Sequence, residues 1–113
     1  MVLAFTYQAL PMRVVLGPGA LAGLGDELGR LGLRRLLVLC SPEQDDTGHR
    51  VAEGLGGLAA GVFAQARMHV PVEVAERAGE QAVRLGADGC VAVGGGSAIG
   101  LGKAVALARG LPV

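Results

Sequence analysis

Apolar residues in this chain alternate between short continuous runs and longer stretches in which they recur every three or four positions. Continuous runs are typical of parallel strands covered by helices on both faces, whereas the wider spacing is typical of one face of a helix. The alternation predicts a series of strand–helix units. Because crossovers between parallel strands are right-handed, the series predicts a single α/β domain with a Rossmann-like, doubly wound parallel sheet.

The apolar runs predict strands at residues 13–16, 36–40, 61–64 and 89–93. Helices are predicted at about 21–31, 46–58, 70–85 and 98–108. The leucines of the first helix recur at three- and four-residue spacing and are expected to form one apolar face, and they are Leu21, Leu24, Leu28 and Leu31. Pro71 is expected in the first turn of its helix, where a proline is tolerated.

The composition limits which partners this chain is expected to bind and where in the cell it is expected to lie. The 113 residues carry 10 basic and 10 acidic side chains, and no basic stripe with interleaved aromatics suggests nucleic acid binding. No apolar stretch approaches the roughly 20 residues that span a bilayer, so the expected location is the cytoplasm. Cys40 and Cys90 lack metal-ligand spacing and are expected to be reduced thiols in the core.

The segment Gly94-Gly95-Gly96-Ser97 lies between a predicted strand and a predicted helix. Consecutive glycines let the backbone approach a ligand closely, and a helix start supplies free N–H groups for a phosphate. Ser97 is expected to add a hydroxyl donor and to serve as the N-cap. The alternative is that these glycines only make a tight turn.

Other phosphate motifs were compared with the chain. A Walker A loop is excluded because Ser97 stands where its first glycine is required and Ala104 where it needs Ser or Thr. A dinucleotide fingerprint fits residues 17–22, with Ala22 in its last place. The acidic residue that should close the second strand is missing there, since Ser41 occupies that end. His69 follows the third strand on the ligand side and is either functional or merely solvated.

At the glycine segment the chain resembles the iron-containing alcohol dehydrogenase superfamily, and within it the maleylacetate reductases. The resemblance rests on residues 94–104 and on stretches that agree in order and spacing at 5–11, 15–21, 41–44 and 68–75. It implies that residues 1–113 form a dinucleotide-binding domain for NADH or NADPH. The cofactor-binding residues that it implies are Gly94, Gly95, Gly96, Ser97, Ser41, Pro42 and His69.

The resemblance also implies an activity and an assembly. Such reductases reduce the carbon–carbon double bond of maleylacetate to give 3-oxoadipate during breakdown of aromatic compounds, and the full-length form is expected to be a homodimer. Many members have an aspartate at the end of the second strand that holds the adenosine ribose. Here that position is Ser41, which leaves the choice between NADH and NADPH open.

This chain is much shorter than the members of the family that it resembles. Members run to roughly three times its length, in keeping with two domains of ordinary size, and a helical second domain carries their substrate pocket and metal ligands. That domain is absent from this sequence, so the chain is expected to be a fragment or truncated product that is inactive alone. No catalytic residue and no metal ligand is assigned within it.

Two alternatives stay open from the sequence. One is another iron-type alcohol dehydrogenase, whose distinguishing metal ligands would lie in the second domain. The other is a stand-alone nucleotide-binding module without catalysis, because a fold does not fix a function.

Overall fold

The computed structural model describes residues 4–9 and 12–113. The strands are β1 (Phe5–Ala9), β2 (Met12–Leu16), β3 (Leu36–Leu39), β4 (Ala59–Phe63) and β5 (Gly89–Ala92). The helices are α1 (Leu24–Arg30), α2 (Asp45–Leu55), α3 (Val72–Leu85) and α4 (Gly96–Arg109). Within the described ranges, none of the helices is long and apolar enough to cross a membrane.

The core is a parallel sheet of three strands in the order β4-β3-β5. β3 is buried on both faces, and its side chains alternate between them. Leu37 and Leu39 pack with α3 and α4 on one face, while Leu36 and Val38 pack with α1 and α2 on the other. The expectation of an α/β fold with helices on both faces of a parallel sheet is confirmed.

The first predicted strand does not belong to that sheet. β2 pairs antiparallel with β1, a strand that the apolar pattern did not predict, and the two form a separate hairpin. Residues 10–11 alone connect them, and so short a connection permits only an antiparallel pair, whereas a parallel pair needs a crossover of about a dozen residues. β3 is already paired on both of its edges, by β4 and by β5.

The predicted apolar face of the first helix is wrong in part. A 3-10 turn at Ala20–Gly23 precedes α1, so Leu21 lies on a different helical period from the rest. Leu28 is 6% exposed, whereas Leu21 and Leu31 are 63% and 71% exposed. A single buried leucine therefore anchors α1 to the sheet, with Leu24 packed partly against the same cluster.

Element ends moved by a few residues for local reasons. α2 stops at Leu55 because Gly56 takes a positive φ of 58°, and a 3-10 turn follows it. Pro71 is the N-cap of α3 and not a first-turn residue. Gly95, not Ser97, is the N-cap of α4, which places Ser97 inside the first turn.

The amino ends of β3 and β5 are joined by side chains. The Asp88 carboxylate accepts hydrogen bonds of 2.9 Å from the backbone N–H groups of both Arg34 and Arg35. The Arg35 guanidinium donates through two nitrogens to the Leu85 carbonyl, at 3.0 and 2.8 Å. Partial burial raises the pKa of Asp88, but the hydrogen bonds from Arg35 and Arg34 outweigh it and hold that pKa below its usual value.

Candidate nucleotide-binding cleft

The strand order creates a crevice at the carboxyl ends of β3 and β5. The chain leaves β3 through α2 on one face of the sheet and leaves β5 through α4 on the other. The two loops therefore diverge between adjacent parallel strands. In open α/β sheets, ligands bind at such a switch point, outside the carboxyl ends of the strands.

A cleft of about 470 Å³ occupies this position. Its lining residues come from the loops that follow three strands, and they are Ser41, Pro42, Glu43, Ala66, Arg67, Met68 and Ser97. A second groove, of about 360 Å³, is lined by the 3-10 turn, α1 and α2 and not by loops at strand ends. The larger cleft, at the strand ends, is the candidate ligand site.

Backbone hydrogen bonds continue past the strand ends and fix the cleft walls. The Cys40 N–H donates to the Phe63 carbonyl and the Ala66 N–H donates to the Cys40 carbonyl, each at 3.0 Å. The Val93 N–H donates to the Leu39 carbonyl at 2.8 Å. The residues that follow these pairs are thus held side by side at one edge of the sheet.

The start of α4 points into this region with free donors. Ile99 is the first residue of the helix whose N–H reaches a helical carbonyl, that of Gly95, at 3.1 Å. The N–H groups of residues 96–98 are therefore left without partners within the helix. With 14 residues, α4 also carries a full helix dipole, whose positive end favours an anion.

The glycines at residues 94–96 differ in whether the fold itself requires glycine at that position. Gly94 has φ 120°, a backbone conformation that other residues rarely adopt. A Cβ built on Gly95 or on Gly96 meets no atom within 4 Å, so these two positions face open space. Packing does not require glycine at either position, and both leave room for a ligand to approach the backbone.

Most of the predicted site residues are brought together here. Ser41, Pro42 and Ser97 line the cleft, and Gly94, Gly95 and Gly96 are exposed immediately before Ser97. His69 is exposed, with φ 63°, and lies in the loop just beyond the lining residues. The glycine fingerprint at residues 17–22 follows the hairpin and contributes no lining residue to this cleft.

Sequence reasoning missed Arg67 and Met68 as cleft residues. The apolar pattern predicts the end of the third strand at residue 64, and His69 is the residue of the following loop that it singles out. The signal that could have found Arg67 is its position as the first cation after that strand, at the edge where ligands bind.

The two thiols are part of the scaffold of the site. Cys40 and Cys90 are free and buried, as expected. Burial raises the pKa of Cys90 to about 11. Burial, and secondarily the charge of Asp45, raises the pKa of Cys40. Gly48 of α2 lies so close to Cys40 that a Cβ there would be 2.5 Å from its sulfur, which brings the helix tightly onto the end of β3.

Among residues 4–9 and 12–113, no three His, Cys, Asp or Glu side chains come together in a way that could hold a metal ion. No residue of the described chain is therefore assigned to a metal.

The fold and the cleft define an open α/β domain in which a helix start with free N–H donors lies at the switch point of the parallel sheet. The family model described as iron-containing alcohol dehydrogenase matches residues 11–111. The chain belongs to this family.

Relatives within the family share a common name. Maleylacetate reductase of Burkholderia cepacia is 54% identical over 110 residues, which are 97% of this chain and 31% of that protein. Maleylacetate reductase of Rhizobium sp. (strain MTP-10005) is 50% identical over 96% of this chain and 31% of that protein. The chain thus spans about a third of the length of the curated relatives it matches.

A solved structure agrees with the fold in detail. The crystal structure of maleylacetate reductase from Agrobacterium tumefaciens matches with a TM-score of 0.88 at 47% identity. The match covers 96% of this chain and 32% of that chain.

Proposed function

We propose that residues 1–113 form the cofactor-binding domain of a maleylacetate reductase, which uses NADH or NADPH to reduce the carbon–carbon double bond of maleylacetate to 3-oxoadipate. The names of relatives 54% and 50% identical to this chain support the substrate. The nicotinamide, when bound, supplies the hydride, and the work of this domain is to hold and orient it.

The observation that carries the proposal is the start of α4. Three consecutive N–H groups without helical partners stand beside the cleft, and the two glycines before Ser97 have open space where a side chain would be. This combination suits a pyrophosphate, which needs close approach to the backbone and several donors at once. Ser97, half-buried in the cleft, offers a hydroxyl donor to the same group.

The same placement of the pyrophosphate gives roles in cofactor binding to the other predicted site residues. With the pyrophosphate on the N–H groups of residues 96–98, the adenosine ribose would lie toward the ends of β3 and β4, where Ser41 and Pro42 line the cleft. Gly94 would form the turn between β5 and α4, so that the helix begins beside the cleft. His69, in the loop beyond, would contact the cofactor from the outer rim.

The test is titration of the purified protein with NADH and with NADPH, together with the rate of maleylacetate reduction by a full-length enzyme that contains this domain. We expect Gly95→Val to weaken the binding of both cofactors by about tenfold or more, because its side chain fills the space that the phosphates require. Since a Cβ at Gly95 meets no protein atom, the variant is expected to fold normally.

The matched control is Gly57→Val. Gly57 also faces open space, but it lies in the turn before β4, at the opposite edge of the sheet. We expect this variant to bind both cofactors as the wild type does. Equal binding by Gly95→Val and the wild type would overturn the assignment, and a full-length enzyme containing this domain that binds cofactor but leaves maleylacetate unchanged would overturn the substrate.

The family resemblance further supports a cytoplasmic homodimer as the working form of the enzyme. Light scattering of the purified full-length enzyme should then give twice the mass of one of its chains. A mass equal to one chain would contradict it.

A further inference from the structure

We propose that Arg67 recognises the 2′-phosphate of NADPH and thereby determines how well this protein accepts the phosphorylated cofactor. The inference rests on the proposed cofactor function, because it concerns the adenosine end of the same cleft. It adds a residue that the glycine motif does not indicate.

The position of Arg67 next to Ser41 supports this role. Arg67 and Ser41 both line the cleft, and each directly follows a residue of one backbone hydrogen bond, the 3.0 Å bond from the Ala66 N–H to the Cys40 carbonyl. They are therefore neighbours across the ends of β4 and β3. The ribose 2′ position of a dinucleotide lies at this kind of edge, and a nearby arginine there is suited to a 2′-phosphate.

The second support is that the Arg67 guanidinium is uncommitted. Arg67 is exposed, and within the described ranges its side chain makes no hydrogen bond and no ion pair. Arg35, at the amino end of the sheet, differs because its guanidinium donates to the Leu85 carbonyl. A free planar guanidinium on a cleft wall can make two parallel hydrogen bonds to phosphate oxygens.

The third support is the chemistry opposite Arg67. A carboxylate at the end of β3 would accept a hydrogen bond from the ribose 2′-hydroxyl and repel a 2′-phosphate. Ser41 stands there instead, half-buried, and its hydroxyl makes no capping hydrogen bond to the turn that follows. The hydroxyl can donate to a phosphate oxygen at no electrostatic cost.

One acidic group faces the same space. Glu43 lines the cleft two residues after Ser41, and its side chain is exposed. Its charge opposes a 2′-phosphate and does not oppose a 2′-hydroxyl. Arg67 and Glu43 therefore act on the choice of cofactor in opposite directions, which gives the inference two independent variants.

The experiment compares dissociation constants for NADPH and NADH in the wild type, Arg67→Gln and Glu43→Gln. Adenosine 2′,5′-bisphosphate and adenosine 5′-monophosphate serve as probes that carry only the adenosine end. We expect Arg67→Gln to weaken NADPH and the bisphosphate by about tenfold or more, as loss of a charge-assisted pair requires, and to leave NADH within about twofold. Glu43→Gln should strengthen NADPH by a few-fold and leave NADH unchanged.

The matched control is Arg77→Gln, an exposed arginine on α3 that does not line the cleft. It should change neither cofactor, because the loss of one distant surface charge is screened by salt. If Arg67→Gln weakened NADPH and NADH equally, or weakened neither, the inference would be overturned while the cofactor function stood. If the wild type bound neither cofactor, both the function and the inference would fail.

Discussion

The amino and carboxyl edges of the parallel sheet end in opposite ways. At the amino edge, Asp88 joins the starts of β3 and β5 and Arg35 joins β3 to the end of α3, through hydrogen bonds of 2.8–3.0 Å to backbone groups. At the carboxyl edge, Ser41, Arg67 and Ser97 line a cleft of about 470 Å³. Within the described ranges these three side chains make no hydrogen bonds to one another or to their surroundings.

The difference separates residues that stabilise the fold from residues that we propose bind the cofactor. Polar groups at the amino edge satisfy one another, so removing one leaves partners without a bond. Polar groups at the carboxyl edge are uncommitted, so removing one should cost no internal bond. The same distinction predicts where substitutions change stability and where they change binding.

The largest expected effect on stability is that of Asp88→Ala. It removes the acceptor of two backbone N–H groups and should lower the free energy of unfolding by about 1–2 kcal/mol. Urea unfolding monitored by circular dichroism measures the change. Arg67→Ala, the matched variant at the carboxyl edge, should unfold at the wild-type midpoint, and an equal loss in both variants would break the comparison.

A smaller effect is expected from pH. The pKa of Asp88 is lowered in the folded state, so its contribution to stability is present above the unfolded pKa of about 3.9 and is lost as pH falls through the folded pKa. The gap in unfolding free energy between the wild type and Asp88→Asn should be constant above about pH 5 and shrink in more acidic solution.

The measurement is a series of urea titrations of both proteins from neutral pH to about pH 3, below the unfolded pKa. A gap that stayed constant throughout, or that widened in acid, would show that the carboxylate charge of Asp88 does not stabilise the amino edge.

The same contrast shows what could be predicted from sequence. The apolar runs of β3 and β5 and the glycines at residues 94–96 are local signals, and they located the sheet and the helix start that stands beside the cleft. Asp88 bonds to the backbone of Arg34 and Arg35, which lie 54 and 53 positions away in the sequence. No local pattern encodes a contact over such a separation. The pairing of β2 was also out of reach, because an isolated apolar run does not specify its partner.

The smallest effect is expected from Arg13→Ala, which tests how the hairpin is held. Arg13 of β2 pairs with Glu27 of α1 at 2.8 Å, and Arg30 contacts the same carboxylate at 3.2 Å. The hydrogen bond from Arg13 lowers the pKa of Glu27. Because the pair is exposed, the variant should speed amide hydrogen exchange in the hairpin and leave the unfolding midpoint of the sheet unchanged.

Salt provides the control for this variant. Raising the ionic strength screens exposed charges, so hydrogen exchange in the wild-type hairpin should approach that of Arg13→Ala at about 1 M salt. A hairpin that exchanged at the same rate in both proteins at low salt would mean that contacts other than this ion pair hold it.

The most direct test of the central claim is a crystal structure of the protein with NADPH bound. We predict that the pyrophosphate oxygens lie within about 3 Å of the N–H groups of residues 96–98, the usual length of such hydrogen bonds, with the 2′-phosphate beside Arg67. A cofactor bound away from the start of α4 would contradict the assignment of the cleft. A pyrophosphate on α4 with the 2′-phosphate turned away from Arg67 would contradict the inference about that residue alone.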